Sequence, residues 1–345
     1  MKFIQLNIYF VSFISFLLSI IGNYFALRFK NFFYQQKREV IEKRLVSNFI
    51  PPIGGVATAL AFLISVNFLG TSEKTIIVIG IFGTLISIIG VIDDFYNLNW
   101  KSKLFFQILF VSIPVINVKT YLNIESLLKL HMNNKLNLIV TIFWIVFVIN
   151  IINFIDNMDG LAVVVSSSIL LQITLLTYYF NQNKLTDLSI VLLFSILGFF
   201  VFNFPPAKLY LGDSGSLFIG FCLGFLSILF VWNPGGVNSL LFNLSPIFLF
   251  FTIPLLDFLV IFNHRIKNNI KPTTGGTDHI SHRLLKKGLG EKKVLLIFVI
   301  YSFGSFFLVL VILLFKPTVS ILFIIFYLIH IKMLYNYLTK LDTFS

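Results

Sequence analysis

The sequence predicts an all-α, polytopic integral membrane protein of about eleven transmembrane helices, with its N-terminus outside and its functional residues on the cytoplasmic face. Three observations predict this. The 345 residues are 57% hydrophobic and 12% charged, with a mean hydropathy of +0.94, whereas soluble domains carry about 25% charged residues. Apolar segments of roughly the 20 residues that cross a bilayer recur from end to end. The basic residues, finally, segregate between alternate loops.

The first apolar segment, residues 4–27, is too long for a signal peptide, and no small-residue cleavage site follows, so it is read as a retained helix. Segments at 50–70 and 75–92 follow. The fourth, 104–124, contains Pro114 and Lys119; bundled helices tolerate proline, and a lysine near an end snorkels to the interface. The next four lie at 136–155, 161–180, 188–204 and 215–232, and Pro205 and Pro206 stop the seventh. The last three lie at 243–263, 294–315 and 318–338. Such spacing leaves no room for a sizeable soluble domain, so residues 1–345 are read as one membrane-embedded domain.

Seventeen of the lysines and arginines fall in odd-numbered loops and seven at the N-terminus and in even-numbered loops; all five arginines are in the first group. The positive-inside rule therefore places the odd loops in the cytoplasm. The same rule accounts for the net charge of +12 without a nucleic-acid partner. A single cysteine, Cys222, excludes an internal disulfide and a cysteine-built zinc site.

Seven of the nine aspartates gather in or near the odd loops, which argues for a shared site. Asp93 and Asp94 end the third span, close to Lys101, Lys103 and Gln107. Adjacent carboxylates at a helix end can bind a divalent cation, and Lys103 can meet a phosphate as a point charge; the pair also suits a solvated helix end. Asn150, Asn153, Asp156 and Asp159 recur every third residue, on one face while the helix lasts, and form a hard-oxygen set where amides otherwise cement helix packing. Pro205-Pro206-Ala207-Lys208 precedes Gly212-Asp213-Ser214-Gly215-Ser216, where a helix start offers free N–H groups to an anion and Asp213 can hold a cation beside it. Plain N-capping by Asp213 or Ser214 is the alternative. Gly275-Gly276-Thr277-Asp278-His279-Ile280-Ser281-His282-Arg283 could bind a diphosphate, with Arg283 bidentate; zinc fits less well, since the aspartates elsewhere suit magnesium. Asp257, one turn after Pro254, is read as scaffold.

Together these four motifs, in order from about Arg44 to Arg283, resemble the polyprenyl-phosphate N-acetylhexosamine-1-phosphate transferase family, of the glycosyltransferase family 4 type. Pro51-Pro52-Ile53-Gly54-Gly55 is similar to that family's early glycine pair. Two positions depart from the pattern: Val46 stands where a histidine is usual, and the last loop reads His-x-Ser-His-Arg. The resemblance implies transfer of an N-acetylhexosamine-1-phosphate, GlcNAc-1-phosphate first, from a UDP-N-acetylhexosamine to undecaprenyl phosphate. UMP would be released, in the initiating step of a cell-surface glycan at the inner (cytoplasmic) membrane.

The resemblance also implies roles. Asp93, Asp94, Asp156 and Asp159 would be catalytic, and Lys103, Asn150, Lys208, His279, His282 and Arg283 would bind substrate. Asp213, helped by Asn153, would hold Mg²⁺, with Mn²⁺ as a substitute. Membrane lipids are the other expected partners, and a homodimer is an open assembly. Muramoyl-pentapeptide transfer is the nearer competing activity. A transporter or flippase, the rival class, calls for ionisable residues at mid-bilayer, whereas only Asp257 lies within a span, near its cytoplasmic end.

Cysteine labelling or reporter fusions are expected to place residues 30–48, 94–103, 205–214 and 265–292 in the cytoplasm. Finding 205–214 outside would split the site.

Overall fold

A computed structural model describes residues 7–29, 50–69, 74–119, 134–230, 248–271 and 276–341. The basic loop at 30–48 with Val46, and Gly275, lie outside the described residues, as do the outer parts of the fourth, eighth and ninth apolar segments. Within the described residues the chain is helical and free of strands. Its helices are α1 (Ile8–Arg28), α2 (Gly54–Val66, continued by a 3-10 turn), α3 (Lys74–Tyr96), α4 (Trp100–Val118), α5 (Asn134–Ile155) and α6 (Leu161–Tyr179). There follow α7 (Asn183–Asn203), α8 (Gly212–Leu229), α9 (Thr252–Lys267), α10 (Ile280–Lys286), α11 (Glu291–Leu314) and α12 (Pro317–Thr339).

Every apolar segment thus carries a helix, and among the described residues the seven-residue α10 is the one helix that hydropathy did not announce. Nine of the described helices are long and apolar enough to cross a membrane, and the protein is a multi-pass membrane protein. The two segments short of that length, α2 and α9, have visible causes. The stretch Pro51-Pro52-Ile53 is not helical, so α2 starts only at Gly54. Residues 248–250 are helical, but a turn at Phe251 separates them from α9. Several helices run past the apolar segment into polar residues; α3 continues through Asp93 and Asp94 to Tyr96.

The described chain falls into two compact units, the first holding α1 to α8 and the second α9 to α12. In the first, α8 is central and packs on α2, α3 and α5, with lighter contact to α6 and α7. All residues from Ser214 to Ser227 are buried, as expected of a helix apolar on every side. Around it, α1 lies against α2 and α7, α6 against α7, and α4 against α3 and α5. In the second unit α9 packs on α11 and α12, and α10 on α11.

The start of α8 is where backbones meet. A Cβ on Gly55 would stand 2.0 Å from the Gly215 nitrogen, and one on Gly90 would stand 2.4 Å from the Ser214 Cα. Only glycine permits either approach. Gly212 opens α8 at φ +68°, a left-handed conformation that glycine adopts freely. The link before α8 also finishes α2, since the N–H groups of Gly54 and Gly55 donate to the carbonyls of Tyr210 and Leu211, both at 3.2 Å. Those first-turn N–H groups have no partner within their own helix.

Gly90→Ala is therefore expected to lower the thermal midpoint of detergent-purified protein, overpacking costing about 1–3 kcal/mol. Gly304→Ala in α11, whose new methyl meets nothing within 4 Å, should leave it unchanged or slightly higher. Equal effects of the two would contradict the packing described.

Candidate active site

Three of the four aspartate-bearing segments converge at one end of the first unit. Lys103, in the first turn of α4, lies between two carboxylates: its Nζ is 2.8 Å from Asp93 Oδ2 and also pairs with Asp213 Oδ2. Asn99 caps α4, its side chain accepting from the Ser102 N–H at 2.9 Å, and so sets where that turn begins. The other oxygen of Asp93 accepts the Leu98 N–H at 2.8 Å, closing the end of α3 onto its own carboxylate.

Asp213 does not cap its helix. Its Oδ1 accepts a hydrogen bond of 2.7 Å from Asn153, whose amide also donates to Ser216 Oγ at 2.8 Å. Asp94 caps α8 instead, its two oxygens accepting the N–H groups of Asp213 and Ser214 at 3.2 and 3.3 Å. A carboxylate there is favoured by the helix dipole as well as by the two donors.

Helix α5 ends at Ile155, so the three-residue spacing serves two places. Asn150 turns to α4 and donates to Gln107 Oε1 at 2.8 Å and to the Val146 carbonyl at 2.7 Å. Asn153 turns to Asp213. Asp156 and Asp159 lie beyond the helix, where Asp159 Oδ2 accepts the Ala207 N–H at 2.8 Å. Lys208, next in the chain, is exposed. Asn203, 3% exposed, ties the two turns together: its Oδ1 accepts the Gly160 N–H and its Nδ2 donates to the Leu209 carbonyl, both at 3.0 Å.

Between these turns is a cavity of about 360 Å³, with Asp94, Asp156, Asp159 and Asp213 in its wall beside Pro52, Asn203 and Tyr210. Burial of the Asp156 carboxyl, with negative Asp213 and Asp159 nearby, pushes its pKa up to about 8.

The second unit places the histidine loop. His279 Nδ1 is 2.8 Å from Asp257 Oδ2. Burial and neighbouring His279 hold His282 below the usual imidazole range. Although burial pushes Asp278 upward, the Arg265 fork holds it below the usual carboxylate range; Nε and Nη2 reach its two oxygens, both at 2.8 Å.

Arg283 is 1% exposed, and its Nε and Nη1 donate to the carbonyls of Asp278, Leu338 and Leu341 at 2.9, 3.2 and 2.7 Å. Five N–H donors suit a buried loop that must satisfy several carbonyls at once. The Asp257 carboxylate serves this loop, its other oxygen accepting the Ile280 N–H at 2.8 Å.

A family model described as glycosyl transferase family 4 matches residues 76–231, the stretch that holds every aspartate of this cluster. A protein of Bacillus subtilis (strain 168) named "Probable undecaprenyl-phosphate N-acetylglucosaminyl 1-phosphate transferase" is 32% identical over 294 residues, 83% of this chain and 80% of its own. The chain belongs to glycosyl transferase family 4. Other similar proteins include a decaprenyl-phosphate N-acetylglucosaminephosphotransferase of Mycolicibacterium smegmatis, 30% identical over 65% of this chain and 61% of that one. A phospho-N-acetylmuramoyl-pentapeptide-transferase of Rickettsia akari is 33% identical over 52% and 58%.

In this family 4 transferase, residue type alone left Gln107, Asn203 and Ser216 unassigned. A polar side chain inside an apolar span was the available signal for each, and its partner was not visible in the sequence.

The Asp156 pKa carries a sign. Between pH 3.8 and about 8 the folded chain holds a proton that the unfolded chain has released, so this group's contribution to stability falls as pH rises through that window. Asp156→Asn removes the titration. The thermal midpoint of the variant relative to the parent, without divalent cations, should rise from pH 4 to 8 and then level off. A difference independent of pH would contradict the assignment.

Proposed function

We propose that the chain transfers N-acetylhexosamine-1-phosphate, with GlcNAc the first candidate, from a UDP-sugar to undecaprenyl phosphate in the cytoplasmic (inner) membrane. Products are the lipid-diphospho-sugar and UMP, and the step initiates a cell-surface glycan. The observation that carries this reading is Lys103 held between Asp93 and Asp213, beside a cavity walled by four aspartates. The names of the relatives support it, each pairing a phosphosugar with transfer.

An oxygen of the lipid phosphate forms a bond to the β-phosphorus of the donor, and the bond from that phosphorus to the bridging oxygen breaks. UMP leaves with the electron pair. A phosphate monoester has its second pKa near ~6 and is largely dianionic at neutral pH, so the acceptor needs no strong base. Phosphoryl transfer needs mainly positioning and neutralised charge. Lys103 is the cation that meets phosphate, Asp93 orients it, and Asn153 and Asp94 hold Asp213 in place from two sides. Asp159 and Asn203 fix the turn that bears Lys208, and the exposed ammonium of Lys208 is free to attract a polyanionic donor.

The carboxylates suit a magnesium ion. Among the described residues no three His, Cys, Asp or Glu side chains form a ready ligand group. Mg²⁺, however, is usually held by one or two carboxylates together with substrate phosphates, and the crowded negative charge that raises Asp156 is the kind a divalent ion relieves. Asp213 would hold it with Asp156 next, Asn153 orienting Asp213; bound there, the ion would neutralise diphosphate charge.

The Rickettsia relatives favour a second reading, transfer of phospho-muramoyl-pentapeptide, over a shorter share of the chain. Purified protein offered UDP-GlcNAc, other UDP-N-acetylhexosamines and the muramoyl-pentapeptide donor should turn over UDP-GlcNAc fastest. EDTA should abolish turnover, and Mg²⁺ or Mn²⁺ should restore it. Asp213→Asn should cut turnover ~100-fold or more, the scale seen when one key electrostatic group is lost, with the thermal midpoint nearly unchanged. Folded Asp213→Asn protein within a few-fold of the parent would overturn the site.

A further inference from the structure

Asp257 lies in α9 with 1% of its surface exposed, and His279 opens α10 at 6%. The two carboxylate oxygens of Asp257 have separate partners. Oδ1 accepts the N–H of Ile280 at 2.8 Å, and Oδ2 meets His279 Nδ1 at 2.8 Å. Two turns later on α9, Arg265 grips Asp278 with two hydrogen bonds. The residue before His279 and the residue after it are thus each tied to α9, and the imidazole between them is held in one orientation.

We propose that Asp257 is a positioning residue that keeps the ring hydrogen of His279 on Nδ1, and so presents Nε2 as the working atom toward the anionic sugar-diphosphate donor. This rests on the proposed function for the part His279 plays, but not for the hydrogen's location. An ionised carboxylate only accepts hydrogen bonds, so whatever the charge on the ring, the nitrogen facing it carries hydrogen. Nε2 is then left to accept when the ring is neutral and to donate when it is charged. The Ile280 N–H makes the arrangement unambiguous, because a fixed main-chain donor already occupies Oδ1 and sets the plane of the carboxylate.

That fixed donor also makes Asp257→Asn informative. The asparagine oxygen must serve Ile280 N–H, which turns the amide NH₂ toward Nδ1. Two donors cannot pair, so the ring hydrogen moves to Nε2. The variant keeps size and burial yet reverses which nitrogen is protonated, the same substitution logic that misplaces a catalytic histidine's hydrogen in the handed-down Ser-His-Asp arrangement, at a cost there of ~10⁴ in turnover.

The test uses the full chain with nitrogen-labelled histidine, as parent, Asp257→Asn and His279→Gln, the last assigning the His279 signal. Spectra should show hydrogen on Nδ1 in the parent and on Nε2 in Asp257→Asn. Turnover of the UDP-sugar in Asp257→Asn should fall ~30-fold or more, with KM within a few-fold. Hydrogen on Nε2 in the parent, or unmoved in the variant, overturns the positioning role. So does Asp257→Asn turnover within two-fold of the parent. A purely scaffolding Asp257 would lower the thermal midpoint without moving the ring hydrogen. If His279→Gln turns over like the parent, Nε2 is not a working atom. If the parent transfers no sugar phosphate at all, the proposed function fails, while the spectra still decide where Asp257 keeps the hydrogen.

Discussion

The contact on which the first unit depends is the approach of the α8 backbone to α2 and α3. Gly55 meets Gly215 and Gly90 meets Ser214 at distances no side chain would allow. Asp94 stands one turn beyond Gly90, so the same approach that closes the helices delivers its carboxylate to the free N–H groups of Asp213 and Ser214. Tight packing and the placing of charge are one event here. In a membrane, where lipid is as apolar as the side chains, close backbone approach is a main source of helix association.

From that contact the polar end is built outward by pairing its polar groups across elements. Lys103 answers Asp93 and Asp213, and Asn153 answers Asp213 and Ser216. Asn203 and Asp159 bind the two turns that follow α5 and α7. What gathers there is acidic: four aspartates wall the cavity, and the crowding raises the pKa of Asp156. An excess of one sign in a small space is costly unless a counter-charge arrives. The proposed binding of a cation with a diphosphate would supply that counter-charge.

Much of this was legible in the sequence, and the limits are physical. Hydropathy located the helix of each apolar segment because lipid imposes length and polarity directly on the residues. It could not see where α2 and α9 begin, since those starts are set by Pro51-Pro52 and by the turn at Phe251, nor the short α10, whose apolar face is only two turns long. The motifs brought Asp93, Lys103, Asn153 and Asp213 forward as residue types, and the structure unites them. Partners between elements were beyond reach. Spacing put Asn150 and Asn153 in phase, yet one faces Gln107 and the other Asp213. Charge brought Arg283 forward, but the three main-chain carbonyls that it meets were not visible. The Gly54-Gly55 pair was a matter of resemblance alone, and its steric reason appears only with Phe199 and Gly215 against it.

The central claim is that the aspartate and lysine cluster serves transfer of a phosphosugar, and the fate of one phosphorus atom tests it most directly. Purified protein is given undecaprenyl phosphate and a UDP-N-acetylhexosamine labelled at its β-phosphorus, and the label is followed through the products. The account predicts that the label enters the lipid as a diphospho-sugar while unlabelled UMP is released in equal amount. Release of the label as UDP, with a sugar on the lipid lacking it, would contradict the account.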